Sequence, residues 1–186
     1  MAVDPKHGIR QEILTLLRKQ KEEDRLRKSR VIAGKLLELP EFKGAETILF
    51  YASFDGEVET FEMIKQAKKL RKRIALPVIL KLQKMFTAWV IEDLERDLEV
   101  GSYGIKQPKK GSTQEILPEQ LDLVVVPGVA FDKRNHRLGR GAGYYDRFLR
   151  ILSPKTPTVG LAFDFQIVDS LPNHSHDVPV SQVLVN

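Results

Sequence analysis

The sequence predicts an α/β fold: a single-domain, three-layer α/β/α sandwich on a mostly parallel, mixed central sheet, spanning residues 1–186. Three observations predict it. Short apolar, β-rich runs alternate along the chain with helical stretches that carry an apolar face, the pattern of helices crossing between parallel strands. No linker-like stretch divides the chain. The length of 186 residues falls in the range where one hydrophobic core is the economical solution.

The elements follow in order. Ile9, Ile13, Leu16 and Leu17 recur at i, i+4, i+7 and i+8, the spacing of one helix face. Polar residues 18–24 interrupt the stripe. It resumes at Leu26 with Ile32, Leu36 and Leu37, and Pro40 stops it. Thr47–Ala52 reads as a short buried strand. Asp55-Gly56 turns the chain, and Thr60 is placed to cap a helix carrying Met63, Ile64, Ala67 and Leu70. Arg73–Val78 reads as the next strand. Met85–Ile91 is β-rich on both of its faces, so both could meet core. Residues 101–119 hold three glycines and two prolines and read as a long loop. Asp122–Pro127 is the plainest buried strand. Tyr145, Phe148, Leu149 and Leu152 mark a helix, and Thr158–Ala162 and Val183–Val185 close the series as strands.

Composition excludes several classes of function. There is no cysteine, which removes a disulfide scaffold, a thiolate metal site and a cysteine nucleophile. Hydrophobic residues are 42% and charged residues 30%, and no apolar run approaches the roughly 20 residues of a membrane span. Met1 to Lys6 has no apolar stretch of a secretory signal, so the expectation is a cytoplasmic protein without membrane partners. The net charge of +5 resides in residues 1–35, which hold ten Lys and Arg against five Asp and Glu. A basic segment invites a nucleic-acid reading. This one mixes its signs at Lys21-Glu22-Glu23-Asp24-Arg25 and contains no Phe, Tyr or Trp to stack on bases, so no nucleic-acid partner is expected.

The informative stretch is Arg137-Leu138-Gly139-Arg140-Gly141-Ala142-Gly143-Tyr144-Tyr145-Asp146, between a strand and a helix. Glycines on alternate positions let the backbone adopt positive φ and approach a ligand closely. Their N–H groups can form an anion nest, and Arg137 and Arg140 add forked donors suited to phosphate oxygens. Asp146 is placed to hold the Mg²⁺ that accompanies a nucleoside triphosphate. The alternative is a glycine-rich surface loop with solvated arginines. Neither G-x-x-x-x-G-K-[ST] nor G-x-G-x-x-G is present, so the common phosphate loops are excluded.

Together with Pro127-Gly128-Val129-Ala130-Phe131-Asp132, this block resembles the signature of the 5-formyltetrahydrofolate cyclo-ligase family. Supporting segments fall in order along nearly the whole chain: Lys6 and Arg10, Arg27-Lys28-Ser29, Gly56-Glu57-Val58-Glu59-Thr60, Leu76-Pro77, the surroundings of Phe86, Tyr103-Gly104-Ile105 and Gln107-Pro108. The chain departs from the pattern at Ala142, where many members carry Gly or Lys, and at Gln107, where many carry Glu.

The resemblance implies an ATP-dependent ligase that converts 5-formyltetrahydrofolate, with or without a polyglutamate tail, to 5,10-methenyltetrahydrofolate, ADP and phosphate. It implies that Lys6, Arg10 and the loop Arg137, Leu138, Gly139, Arg140, Gly141, Ala142, Gly143, Tyr144 and Tyr145 bind ATP. Asp146 and Asp177 would hold Mg²⁺. Ala52, Glu57, Met85 and Tyr103, with Arg140 to Tyr144, would bind the folate, and Arg140 and Tyr144 would be catalytic. Lys6 and Arg10 are i, i+4 and share a helix face, although such a pair is by itself an ordinary solvated one. Met85 and Tyr103 could equally be core and loop anchors, Glu57 a helix-dipole acid, and Asp177 a turn residue before Pro179. A zinc reading of His174-Ser175-His176-Asp177 is the weaker alternative there. Lys65 to Arg73 holds six basic residues in nine, better read as a solvated helix face than as a seat for a polyglutamate tail. A non-catalytic relative acting as a folate or nucleotide sensor would have lost Asp146 or the loop arginines, and all are present. A monomer is the favoured state.

Overall fold

A computed structural model describes residues 5–111, 113–172 and 177–186. Helix α1 spans Pro5–Lys19, α2 Glu22–Glu38 and the short α3 Pro40–Gly44. Strand β1 is Thr47–Leu49, α4 Phe61–Lys69, β2 Arg73–Leu80, β3 Met85–Ile91, β4 Leu98–Val100, β5 Lys106–Pro108 and β6 Gln114–Ile116. Then come β7 Leu123–Val126, β8 Ala130–Asp132, β9 Arg137–Leu138, α5 Tyr144–Leu149, β10 Thr158–Ala162, β11 Ile167–Val168 and β12 Gln182–Val185.

The main sheet has the order β12-β10-β7-β1-β2-β3-β6. Its first five strands are mutually parallel, and β3 and β6 join antiparallel, so the sheet is mixed as expected. Alternation along each strand divides the core in two. Ile48, Leu123 and Val125 pack with α1, α2 and α4, whereas Leu49, Val124 and Val126 pack on the other face with Phe148 and Leu149 of α5. Three layers result, with one helical layer reduced to a single short helix.

Several local expectations are corrected. Leu16 is 40% exposed and Leu14 takes its place in the buried stripe of α1. Thr60 precedes α4 without capping it: its hydroxyl donates to Tyr51 O at 2.6 Å, and the Glu59 carboxylate receives the first helical N–H groups, from Phe61 and Glu62. The buried run Thr47–Ala52 is a strand only through Leu49, after which the chain leaves the ladder while staying buried. On β3, Phe86, Ala88 and Val90 are buried while Met85, Thr87 and Trp89 are only half-buried, so chiefly one face meets core. Residues 101–119 hold β5, β6 and the 3₁₀ turn Ser102–Gly104, and a second 3₁₀ turn, Pro118–Gln120, straddles the end of what reads as a loop. β5 pairs antiparallel with β4 and packs beside β2, a tertiary arrangement with no local signature.

Candidate active site

The chain segments beyond the C-terminal ends of β1 and β7, with the C-terminal half of β2, open onto a cavity of about 940 Å³. That is the upper range for small-molecule sites, and this position relative to a parallel sheet is the usual one for ligands. Every residue expected in the site lines it except Met85. The pleat explains the exception: Phe86 is buried and in the wall, facing Ile79 across the β2–β3 pair, and its neighbour Met85 points to the other face of the strand.

One side of the cavity is cationic. Lys6, 9% exposed, sits in the first turn of α1 and its Nζ meets Asp177 Oδ2 at 2.5 Å. One turn on, Arg10 Nε donates to Gly139 O at 3.0 Å. The i, i+4 spacing puts both side chains in the cavity wall, Lys6 on Asp177 and Arg10 on the glycine loop. In that loop Gly141 (φ 108°) and Gly143 (φ 68°) occupy the left-handed region that favours glycine. Gly143 is the residue before α5, which is only six residues long, so the helix dipole adds less here than the sequence suggests. The Ala142 carbonyl is tied down by Arg147 NH2.

Arg137 and Asp146, nine residues apart, are a nearly buried ion pair: NH2 to Oδ1 is 2.9 Å, with side chains 4% and 16% exposed. Both carboxylates expected to hold Mg²⁺ are thus already paired with cations expected to bind ATP. Their hard oxygens suit Mg²⁺, which is commonly held by one or two carboxylates and completed by phosphate and water. No cluster of three or more His, Asp or Glu exists among the described residues. His174, Ser175 and His176 lie outside the described residues.

The other side is flatter and more apolar, with Ala52, Pro77, Ile79, Phe86 and Ile105 in the wall. Its one buried carboxylate is Glu57, which receives Arg140 Nε at 3.2 Å and Arg140 NH2 at 3.1 Å on the same oxygen, and Phe54 N at 3.3 Å on the other. Burial pushes the Glu57 carboxyl up to about 7, against the opposing pull of the Arg140 guanidinium. Arg140 NH1 donates to Asp55 Oδ2 at 2.8 Å, and its guanidinium stacks on Phe54 at 4.1 Å. Asp55 is held below the ordinary carboxylate range by its hydrogen bonds from Arg18, with Arg140 adding to them.

Tyr103 and Tyr144 bring their hydroxyls within 3.5 Å, joining the 3₁₀ turn of residues 102–104 to the glycine loop. The Tyr145 ring packs 4.8 Å from Phe86 and under Arg137, and its buried hydroxyl meets no hydrogen-bond partner among the described residues. Burial and the nearby Glu57 charge raise its pKa, so it stays a donor. Sequence reasoning missed Asp55, Phe54 and Phe86 as site residues. Asp-Gly marked a turn at 55–56, but nothing local indicates that its carboxylate faces an arginine 85 residues away.

Comparison with known proteins gives one consistent family. A sequence model described as the 5-formyltetrahydrofolate cyclo-ligase family matches residues 2–186. A 5-formyltetrahydrofolate cyclo-ligase of Haemophilus influenzae is 37% identical over 151 residues, 80% of each chain. Its Mus musculus counterpart is 33% identical over 190 residues, covering 96% of this chain and 92% of the mouse protein. The NMR structure of an Aquifex aeolicus 5,10-methenyltetrahydrofolate synthetase superposes with a TM-score of 0.84 at 33% identity, covering 97% of this chain and 89% of that one. A 5,10-methenyltetrahydrofolate synthetase from Mycoplasma pneumoniae gives 0.78 at 25% identity, covering 97% and 98%.

Proposed function

The chain belongs to the 5-formyltetrahydrofolate cyclo-ligase family and is a ligase, and on that premise we propose how its cavity carries out the reaction. The substrates are ATP and 5-formyltetrahydrofolate, and residues 1–186 act as one catalytic domain. The γ-phosphoryl group passes from ATP to the formyl oxygen, releasing ADP. N10 of the folate then attacks the activated formyl carbon and loses its proton as the second C–N bond forms. The C–O bond breaks and phosphate leaves, giving 5,10-methenyltetrahydrofolate.

Such chemistry asks the protein for positioning and charge stabilisation rather than a nucleophile. Lys6, Arg10, Arg137 and the backbone from Leu138 to Tyr145 hold the triphosphate. Asp146 and Asp177 hold Mg²⁺, which supplies neutralisation of phosphate charge when it is bound with ATP. Ala52, Glu57 and Tyr103 receive the folate, with Phe86 taking the wall position expected of Met85. Glu57 accepts from the donor edge of the pterin, and Arg140 and Tyr144 face the formyl and transferring phosphoryl oxygens. The ion pairs suit this exchange: Asp177 and Asp146 balance cations that phosphate would take over, and Arg140 occupies the carboxylate that the pterin would take. A monomer in the cytoplasm, without nucleic-acid or membrane partners, completes the reading; no helix among the described residues is long and apolar enough to cross a membrane.

The observation that carries the proposal is the joining, in one cavity, of a cationic glycine loop with an apolar-walled pocket bearing one buried carboxylate. The test is to mix the protein with Mg-ATP and 5-formyltetrahydrofolate and follow the near-ultraviolet absorption of the methenyl product. Product should form only with both substrates. ATP hydrolysis that proceeds unchanged without folate would overturn the reading.

A further inference from the structure

Helix α1 holds the glycine loop at two neighbouring residues. Arg10 reaches the Gly139 carbonyl directly. Two turns further along the helix, Arg18 forks onto Asp55, with Nε 2.9 Å from Oδ1 and NH2 2.9 Å from Oδ2. Asp55 Oδ2 in turn receives Arg140 NH1 at 2.8 Å. The result is a continuous chain of charges, Arg18–Asp55–Arg140–Glu57, running from α1 to the buried end of the cavity.

The loop that presents Asp55 has little freedom. Asp55 has φ 51° and Gly56 φ 84°. A Cβ on Gly56 would lie 2.2 Å from the Leu17 carbonyl oxygen, so the loop rests directly on the end of α1. Gln20 Nε2 bonds both the Leu17 and Gly56 carbonyls at 3.2 Å, and Arg25 NH1 reaches the Glu57 carbonyl at 3.4 Å. Asp55 is therefore fixed relative to the helix that also carries Lys6 and Arg10. Arg140 is the opposite case, since its glycine neighbours on both sides place few limits on its backbone.

We propose that Asp55 is a positioning residue: fastened by Arg18, it anchors Arg140 over Phe54 when the substrate takes Glu57. The inference rests on the roles proposed above for Glu57 and Arg140. Release of Glu57 frees Nε and NH2 of Arg140 toward the cavity, while NH1 stays on Asp55. Arg18 already neutralises Asp55, so the anchored guanidinium keeps its positive charge for the oxygens on which charge develops. Because Arg18 is 56% and Asp55 27% exposed, the pairs contribute little to stability, and variants at these positions should fold.

The experiment compares full-length parent, Asp55→Asn, Arg18→Ala and the double variant. In methenyl formation, Asp55→Asn should lower kcat by about tenfold to a hundredfold, the scale of a misplaced catalytic group. Arg18→Ala should lower it less. The double variant should match Asp55→Asn, because Arg18 acts only through Asp55. Affinity for Mg-ATP and the melting temperature should stay at parental values. Unchanged kcat in Asp55→Asn, or losses that simply add in the double variant, would overturn the proposal. A second readout needs no turnover. Nitrogen-15 NMR of the ligand-free protein reports rotation about the Arg140 Nε–Cζ bond, which two carboxylates should slow and which Asp55→Asn should quicken. If rotation is the same in parent and Asp55→Asn, the anchor does not exist. An inactive parent would overturn the proposed function, and the NMR comparison would still decide the anchor.

Discussion

Arg140 turns two of its nitrogens onto one carboxylate oxygen of Glu57, at 3.2 and 3.1 Å, across 83 residues of sequence. Glu57 is 7% exposed, and its carboxyl is raised to about 7 by burial even with that guanidinium beside it. The pair therefore joins a carboxylate that is costly to ionise to the arginine that makes ionisation tolerable. Whatever draws Arg140 away must bring its own donors to Glu57, or a proton must.

Glu57→Gln should weaken folate binding more than ATP binding. Each hydrogen bond to a charged acceptor contributes about 1.5–3 kcal/mol, so the loss in folate affinity should reach at least about tenfold. Parallel calorimetric titrations with folate and with Mg-ATP measure both. An ATP affinity that falls while folate affinity holds would assign Glu57 to the nucleotide.

The same substitution should change the dependence of stability on pH. The folded Glu57 carboxyl titrates near 7, above its ordinary 4.5, so the folded state holds this proton where the unfolded state has released it. Its contribution is fully present below about 4.5 and is lost as pH rises toward 7, after which it is constant. Denaturant unfolding of parent and Glu57→Gln across this window should diverge by no more than roughly 3 kcal/mol, with the parent falling as pH rises. Parallel curves would place the Glu57 titration elsewhere.

Asp146→Asn and Arg140→Ala should each lower turnover by at least about a hundredfold, the scale of losing a transition-state donor. Their stabilities should differ. Asp146 is the partner of the nearly buried Arg137, so Asp146→Asn should also cost roughly 1–3 kcal/mol in the ligand-free protein. Arg140→Ala leaves the nearly buried Glu57 without its cation, so its cost should grow as pH rises above about 7. ATP should fail to raise the melting temperature of Asp146→Asn as it does for the parent, by linkage. A thermal-shift series with and without Mg-ATP measures both effects. Near-parental turnover in either variant would show that the loop is structural.

Gly56→Ala should destabilise the protein by about 2 kcal/mol or more. Alanine is strained at φ 84°, and its Cβ would meet a backbone oxygen at 2.2 Å, which no side-chain rotation relieves. Gly104, with φ 74° and open space around it, should lose less on substitution to alanine. Urea unfolding of the two variants tests the ranking.

Much of this molecule is written locally. The apolar periods located α1, α2, α4 and most of the central strands, because burial acts on residues two or three to four positions apart. The glycine loop was legible for a similar reason: positive φ, forked donors and a trailing acid lie within ten consecutive residues. The spacing of Lys6 and Arg10 was enough to put them on one helix face. Tertiary structure decided what these groups meet. Arg140 meets Glu57 and Asp55, Lys6 meets Asp177, and Phe86 rather than Met85 enters the cavity. These outcomes depend on the order and register of strands that are distant in the chain, and on which side of a pleat faces the opening. Hydrophobic periodicity carries no information about them: it says that a face is buried, while the partner across the gap is chosen only when β1, β2 and β7 come to lie side by side.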